Sequence, residues 1–299
     1  MSPNSWICLQ PSNATQTTLS LDNRGLAYGD GFFTTMGVID GQILWLDYHQ
    51  QRLVSHAAAL QLQLDSQSLL AMLKTHAKQL QQGMLKLIIT RAEQEVRGYG
   101  YTPNIGGGSA CEIWLKSSPM AITTARSLPL ADGQFIPLQP AASAICLSSQ
   151  IACLPPTLAG LKSLNRLDNV LASGELQAIK AKTLAGTIKP SIAEGLLRDM
   201  SGQWVEGTMS NVFYQLVEAP VAKSSNRPHS QNNSNSNYLT QGQWYTPSMA
   251  QSGVAGVMRQ VIIDTLSTSN NPVIIRSLQD EDLLHLSQLF FCNALRGIM

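Results

Sequence analysis

The feature that most constrains the fold is a lysine in the middle of the chain, between small residues and a stretch of helical periodicity. Lys162 follows Ala159-Gly-Leu161 and precedes the apolar positions Leu164, Leu167 and Leu171. This spacing predicts that the lysine lies where a loop or strand end meets a helix, with the leucines on one apolar helix face. An amine held there in a dry or cationic pocket can lose its charge and bond to a carbonyl carbon. Because most lysines are solvated surface charges, the spacing alone leaves that role open as well.

Composition argues against several classes of protein. The 20 Lys and Arg residues against 19 Asp and Glu residues give a formal charge of +1, so no broad field favours a nucleic acid or an anionic membrane. The five cysteines include no Cys-x-x-Cys pair, which predicts reduced side chains and neither a disulfide framework nor a zinc site. The N-terminus has no basic region followed by an apolar core, and no apolar run could span a bilayer. We therefore expect a cytoplasmic protein.

Length and local changes of composition predict two domains. A chain of 299 residues that is 44% hydrophobic can bury a large core, and the composition changes after Pro119. We therefore predict an N-terminal domain over residues 1–119 and a C-terminal domain over residues 120–299. Residues 218–241 are rich in Ser and Asn with few apolar side chains, which predicts a mobile insertion in the second domain.

The periodicity of apolar residues predicts the elements around these features. A helix is expected to begin near Asp47, and a second helix to cover residues 66–81. Residues 204–216 are predicted as one strand. A further helix is predicted to open at Gly253, where unpaired N–H groups and the positive end of the helix dipole would suit a phosphate.

Several motifs, in the same order along the chain, resemble those of the fold-type IV pyridoxal-phosphate enzymes. They are Asp22-x-Arg-Gly-x-x-Tyr-Gly-Asp-Gly31, His49-x-x-Arg-Leu53, Val205-Glu with Asn211-x-Phe213, and Thr246-Pro with Gly253-x-x-Gly-x-x-Arg259. The segment Lys162-x-Leu-Asn-Arg-Leu167 is similar to that of the aminodeoxychorismate lyases in this family, more than to that of its transaminases. The resemblance implies a smaller α+β N-terminal domain, a larger β-barrel-like C-terminal domain with helices, and a homodimer.

The resemblance also implies roles for single residues. Lys162 would bind pyridoxal 5'-phosphate and serve as the catalytic base, and Glu206 would face the pyridine nitrogen. The Arg52 guanidinium could meet the phosphate with two parallel hydrogen bonds. The residues implied to bind the cofactor are Lys162, Arg52, Glu206, Asn165, Val254, Ala255 and Asn293, the Val254 and Ala255 contacts being through their backbone to the phosphate. The residues implied to bind substrate are Arg97, Arg166 and Tyr28. No metal is implied.

The implied reaction converts the small molecule 4-amino-4-deoxychorismate to 4-aminobenzoate and pyruvate, a step of folate synthesis. Two alternatives remain open from the sequence. A branched-chain or D-amino acid transaminase would use the same cofactor residues, and a catalytically inactive interaction protein could retain the fold. From the residues alone, Arg52, Arg97 and Arg166 could equally be exposed or structural charges, and Glu206 a strand-edge residue.

Overall fold

The computed structural model describes residues 6–9, 18–103, 108, 110–122, 126–130, 135–184, 192–217, 239, 241–267 and 271–299. Of the insertion predicted over residues 218–241, only residues 239 and 241 lie within the described part, so the form of the insertion stays a prediction. In the part of the chain that is described, no helix is both long and apolar enough to cross a membrane.

The first half of the chain forms a five-stranded antiparallel sheet among the described residues, in the order β1-β5-β4-β2-β3. Its strands are β1 (Trp6–Cys8), β2 (Gly31–Ile39), β3 (Gln42–Ile43), β4 (Gly83–Arg91) and β5 (Cys111–Pro119). Its helices are α1 (Arg24–Tyr28), α2 (Leu46–Ala59) and α3 (Ser66–Leu80).

The alternation of buried and half-buried side chains along β4 shows which face of the sheet α2 and α3 cover. Leu85, Leu87 and Ile89 are buried against α2 and α3, whereas Lys86 and Ile88 between them are half-buried. Successive side chains of a strand point to opposite faces, so Lys86 lies on the face away from the two helices.

The second half of the chain forms a ten-stranded mixed sheet among the described residues, with the main order β6-β7-β15-β14-β11-β10-β9-β8. Its strands are β6 (Arg126–Pro129), β7 (Phe135–Leu138), β8 (Ser143–Ile151), β9 (Ile192–Asp199), β10 (Trp204–Gly207), β11 (Asn211–Leu216), β12 (Tyr245–Thr246), β13 (Ile274–Ile275), β14 (Leu286–Asn293) and β15 (Gly297–Ile298). Its helices are α4 (Leu167–Leu184), α5 (Val257–Ser267) and α6 (Asp280–Leu283). The first sheet ends at Pro119 and the second begins at Arg126, while the division into two domains at residue 119 stays a prediction.

Two apolar clusters hold helices against the second sheet. Helix α5 packs through Val261 and Ile262 on Phe213 and Phe290, whose rings are stacked with centroids 5.0 Å apart. Helix α4 connects the parallel strands β8 and β9, as such a pair requires, and it packs on them through Ala172 and Leu176.

The prediction for the face of α4 was wrong. The helix begins at Leu167, five residues after Lys162, and Leu167 and Leu171 are exposed. The buried face carries Ala172 and Leu176 because this is the side that crosses β8 and β9. The residues before Leu167 are held in an extended form by the first sheet, which prevents the helix from starting earlier.

Other element boundaries also differ from the prediction. Helix α2 begins at Leu46 because Trp45 adopts a φ of 59°, so Asp47 lies in the first turn and is not the cap. Helix α5 begins at Val257, since Gly253 has a φ of 76° that a right-handed helix cannot accommodate. Residues 204–216 form two strands, because the Gly207 N–H donates to the Ser210 C=O in a turn. The helix predicted over residues 66–81 is confirmed as α3, which ends one residue earlier.

Candidate active site

The segment around Lys162 is held from both sides by main-chain hydrogen bonds. On one side, the Phe33 N–H donates to the Lys162 C=O and the Leu164 N–H donates to the Gly31 C=O, each at 3.0 Å. The segment thus pairs with β2 along the edge that β4 does not use. On the other side, the Ala255 N–H donates to the Gly160 C=O at 2.9 Å. Lys162 is therefore fixed between the first sheet and the turn that precedes α5.

The Lys162 amine lies among more positive than negative charges. Its Nζ lies 4.5 Å from the centroid of the Phe33 ring. Burial first, and then the charge of Arg52, lower the pKa of Lys162 to about 8, although Glu206 acts in the opposite direction. The uncharged fraction of this amine at neutral pH is consequently much larger than that of an ordinary lysine.

Arg52 is a buried residue of α2 that reaches the start of α5. Its Nη2 donates to the Ala255 C=O at 2.7 Å, and its Nη1 donates to Thr34 Oγ1 at 3.4 Å. Burial and the neighbouring Arg166 lower the pKa of Arg52 to about 10, so the guanidinium remains charged at neutral pH.

Glu206 is a buried carboxylate at the end of β10. Its Oε2 accepts a hydrogen bond from the Val254 N–H at 2.8 Å, and its Oε1 accepts one from Asn169 Nδ2 at 3.4 Å. Burial raises the pKa of Glu206, against the lowering effects of the Val254 N–H, Arg166 and Lys162. A Cβ on Gly253 would lie 3.0 Å from Glu206 Oε2, so both this contact and the positive φ require glycine there.

Two buried polar atoms near the lysine have no partner. Arg166 Nη2 donates to the Leu161 C=O, but Arg166 Nε is buried without an acceptor, and Asn169 Oδ1 is buried without a donor. Both residues act on Glu206 through charge or hydrogen bonding. Buried charges and polar groups are normally paired, because leaving them unpaired costs free energy. One unpaired donor and one unpaired acceptor, among excess cations, fit an anionic ligand that also presents a hydrogen-bond donor.

Four of the predicted residues therefore come together, namely Lys162, Arg52, Glu206 and Arg166. Val254 and Ala255 are close by, but their N–H groups donate to Glu206 and Gly160. This differs from the prediction that both N–H groups contact a phosphate, because α5 begins three residues later than Val254. The first turn of α5, at Val257 and Met258, provides N–H groups without an intrahelical acceptor.

The contacts described for three of the other four predicted residues, Asn165, Asn293 and Tyr28, are with other groups, and Arg97 is exposed. Asn165 is exposed, and its Nδ2 reaches the Gly29 C=O at 3.4 Å. Asn293 Oδ1 accepts from the N–H groups of residues 295 and 296 in the turn that follows. Arg97 is exposed, and the Tyr28 ring meets the Tyr99 ring edge-on at 5.3 Å. Their roles in binding cofactor or substrate stay predictions.

Arg24 ties the loop that carries Arg97 to α1. Arg24 Nη1 and Nη2 donate to the C=O groups of Gly98 and Tyr99, while Arg24 Nε pairs with Asp30 at 2.9 Å. Asp30 also accepts from Arg91 Nε at 2.9 Å, so one carboxylate pairs with two buried cations. The network fixes this loop beside the N-terminal motif.

Sequence reasoning missed two charged or titratable neighbours of Lys162. Lys86 Nζ lies 5.5 Å from the Phe33 centroid, and its charge lowers the pKa of Lys162. His56 Nε2 accepts the Lys162 N–H at 2.9 Å. The alternation of β4 could have indicated Lys86, and the four-residue spacing from Arg52 on one helix face could have indicated His56.

The chain is similar to known proteins of one family. The sequence profile of the class IV aminotransferases matches residues 31–299. The chain is 24% identical to the aminodeoxychorismate lyase of Vibrio harveyi over 284 residues, which cover 95% of this chain and 86% of the relative. It is 26% identical to a Methanocaldococcus jannaschii protein provisionally named a branched-chain-amino-acid aminotransferase, over 94% of this chain and 81% of that protein.

The structure resembles that of the 4-amino-4-deoxychorismate lyase from Pseudomonas aeruginosa with a TM-score of 0.68. The two sequences are 29% identical, and the match covers 94% of this chain and 85% of that one. The chain belongs to the class IV aminotransferase family and has the α+β architecture of fold-type IV, as its motifs predicted. Enzymes of this family depend on pyridoxal phosphate.

The charges around Lys162 predict how substitutions change its pKa in protein without cofactor. Glu206→Gln should lower the pKa, because the carboxylate favours the ammonium form, whereas Arg52→Gln should raise it by removing a neighbouring cation. The pH dependence of reductive methylation at Lys162, followed by peptide mass spectrometry, measures both shifts. The exposed amine of Lys74 gives a reference in the same chain. A Glu206→Gln variant whose midpoint rises or stays in place contradicts the described electrostatics.

Proposed function

We propose that the chain is a pyridoxal-phosphate-dependent lyase that converts 4-amino-4-deoxychorismate to 4-aminobenzoate and pyruvate. The observation that carries the proposal is Arg166, which comes from the lyase-like segment and has a buried, unpaired Nε close to Lys162 and Glu206. A substrate with two carboxylates needs such a cationic contact. Similarity in sequence and structure to two lyases supports the proposal, and the 26% identity to a protein named as an aminotransferase keeps transamination as the alternative.

The residues around Lys162 fit pyridoxal phosphate. Its phosphate would offset the excess of buried cations, with Arg52 and the first N–H groups of α5 as the donors. Its pyridine nitrogen would face Glu206. When bound, the cofactor supplies an aldehyde that reacts with amines and a ring that accepts electrons from the substrate.

Lys162 is suited to move the proton in this reaction. Because the pKa of its amine is lowered to about 8, Nζ can be uncharged at neutral pH and accept a proton. We assign to Nζ the removal of the proton from ring carbon C4 of the substrate. The bond between the neighbouring ring carbon and the enol-ether oxygen then breaks as the ring becomes aromatic, and the released enolpyruvate takes up the proton from Nζ to become pyruvate.

Glu206 is suited to hold a proton on the pyridine nitrogen. Its Oε2 is fixed by the Val254 N–H at 2.8 Å, while the contact of Oε1 with Asn169 is longer, at 3.4 Å. We therefore assign Oε1 to the pyridine nitrogen. A protonated nitrogen would favour the ionised carboxylate, against the effect of burial on the Glu206 pKa.

Two cations near the lysine are suited to the substrate carboxylates. Arg166 has its unpaired Nε, and Lys86 Nζ lies near the same Phe33 ring as Lys162 Nζ. We assign one carboxylate to each of Arg166 and Lys86. We also propose that Arg97 and Tyr28 lie at the entrance of the site. Arg97 is on the loop and Tyr28 is on helix α1, and Arg24 joins that loop to the helix.

The lyase proposal predicts the products of a direct assay. Purified protein supplied with pyridoxal phosphate and 4-amino-4-deoxychorismate should release 4-aminobenzoate and pyruvate in equal amounts without an added keto acid. Lys86→Met should lower kcat/KM about tenfold or more, as expected for loss of one charge-assisted contact. Lys74→Met, at an exposed position of α3, is the matched control and should leave kcat/KM unchanged.

Other outcomes of the same assay support the alternatives. Transfer of amino groups from branched-chain or D-amino acids to 2-oxoglutarate, with no aromatic product, would identify a transaminase. Absence of both reactions, together with no visible absorption from bound cofactor, would instead support an inactive interaction protein.

The exposed leucines of α4 support a second proposal, that the protein is a homodimer. Leu167, Val170 and Leu171, the α4 patch, have exposed fractions of 78%, 62% and 71%. Asn165, just before the helix, contacts Gly29 at the end of α1, so the patch continues toward the entrance loop. Contiguous exposed apolar residues of this kind are typical of interfaces, and a second copy of the chain would cover them.

Light scattering after size exclusion tests the dimer. The wild-type protein should have twice the mass of the chain, and Leu171→Glu should shift it toward the monomer because a charge would be buried at the interface. Leu284→Glu is the control, since Leu284 is exposed beyond the end of α6 and outside the α4 patch. A monomeric wild type, or a dimer unaffected by Leu171→Glu, contradicts this interface.

A further inference from the structure

The backbone of Lys162 is held by two different groups. Its C=O accepts a hydrogen bond from the Phe33 N–H of β2, at 3.0 Å. Its N–H donates to Nε2 of His56, a buried residue of α2, at 2.9 Å. The strand edge therefore satisfies only the carbonyl, and a side chain from another element satisfies the N–H.

The hydrogen bonds around His56 define its neutral form. Nε2 accepts from Lys162, so it carries no hydrogen, and the hydrogen of the neutral ring must be on Nδ1. Nδ1 lies 3.3 Å from Ser55 Oγ, which donates its own hydrogen to the Arg52 C=O at 3.2 Å. Ser55 Oγ can therefore accept the hydrogen of His56 Nδ1. The three hydrogen bonds then run in one direction, from the Lys162 N–H through His56 and Ser55 to the Arg52 C=O.

The surroundings keep the imidazole neutral. Burial, followed by the charges of Arg52, Arg166 and Lys162, lowers the pKa of His56 to about 3. The edge of the Phe32 ring lies against the imidazole, with centroids 5.3 Å apart. Among the described residues, the charges that act on this pKa are all cations. His56 therefore remains an acceptor over the whole range in which Lys162 titrates.

The Lys162 N–H is better satisfied by a neutral hydrogen-bond acceptor than by an aliphatic or an anionic side chain. An aliphatic side chain would leave the Lys162 N–H buried and unpaired. A carboxylate would accept the bond, but its charge would favour the ammonium form of Lys162 and pair with Arg52. A neutral imidazole satisfies the backbone without either effect.

We propose that His56 is a positioning residue that holds the Lys162 backbone through a neutral acceptor and so keeps the lysine amine both placed and reactive. The inference rests on the proposed role of Lys162 as the reacting amine. Helix α2 would then have two functions, since Arg52 and His56 lie on the same face of that helix. Arg52 would contact the phosphate, and His56 would hold the Lys162 backbone.

Three substitutions separate placement from charge. His56→Leu removes the acceptor, His56→Gln keeps a neutral acceptor in the Oε1 atom, and His56→Glu keeps an acceptor but adds a negative charge. His76→Leu, at a half-buried position of α3, is the control for loss of an imidazole elsewhere. All four are measured first without cofactor, so that the results do not depend on catalysis.

The first measurement is hydrogen exchange of the Lys162 amide by nuclear magnetic resonance. His56→Leu should speed this exchange about tenfold or more, the factor that corresponds to loss of one hydrogen bond. His56→Gln should restore most of the protection, and amides of β4 should exchange at the wild-type rate in both. Unchanged exchange at Lys162 in His56→Leu would overturn the proposal.

If that variant does not fold, a scalar coupling across the hydrogen bond in wild-type protein, between the Lys162 amide nitrogen and His56 Nε2, decides the same point by its presence or absence.

The second measurement is the pH midpoint of Lys162 methylation, with kcat and KM of the cofactor-loaded protein. His56→Glu should raise the midpoint, whereas His56→Gln should leave it near that of wild type.

The value of kcat should fall about tenfold in His56→Leu with KM little changed, and His56→Gln should recover it. Faster exchange in His56→Leu with an unchanged kcat would show a purely structural histidine and overturn the proposal. If the proposed lyase reaction itself fails, the exchange and methylation results still decide the role of His56.

Discussion

Main-chain pairing of the Lys162 segment with the first residues of β2, on the edge away from β4, is the constraint on which the site depends. The hydrogen bonds from Phe33 and Leu164 hold the segment extended against the first sheet, and the bond between Gly160 and Ala255 joins it to the turn before α5. Backbone pairing of this kind places a lysine more rigidly than a mobile loop could. The same pairing delays the start of α4 to Leu167 and lets the start of α5 approach the lysine.

The charges around Lys162 then influence the protonation of its amine, and so its reactivity. Lys162, Arg52 and Arg166 share one nearby carboxylate, Glu206, so the interior of the site carries more positive than negative charge. Such an arrangement costs stability unless an anion is bound, and it lowers the pKa of the lysine for the same reason. Suitability for an anionic ligand and the part of the pKa lowering that comes from charge are thus two consequences of one charge distribution, while burial contributes the larger part of that lowering.

Much of this site could be predicted from sequence, and the failures have physical causes. The motifs around Lys162, Arg52 and Glu206 predicted residues that the fold brings together, because each motif includes the local backbone features that aim its side chain. The face of α4 could not be predicted from leucine spacing alone, since packing on β8 and β9 buries Ala172 and Leu176 instead.

The contacts missed by sequence reasoning depend on tertiary structure. His56 meets Lys162 only because α2 and the lysine segment lie on the same side of β2, although the two residues are 106 positions apart in sequence. The N–H groups of Val254 and Ala255 were assigned to a phosphate, but the glycine-rich turn directs them to Glu206 and Gly160. No local pattern specifies which acceptor such a turn will face.

Borohydride reduction of the protein with pyridoxal phosphate, followed by peptide mapping, tests the central claim most directly. The account predicts one stable cofactor adduct, on the peptide that contains Lys162, and its loss in Lys162→Ala. An adduct on Lys86, Lys180 or Lys182 instead, or no adduct in folded wild-type protein, would contradict it.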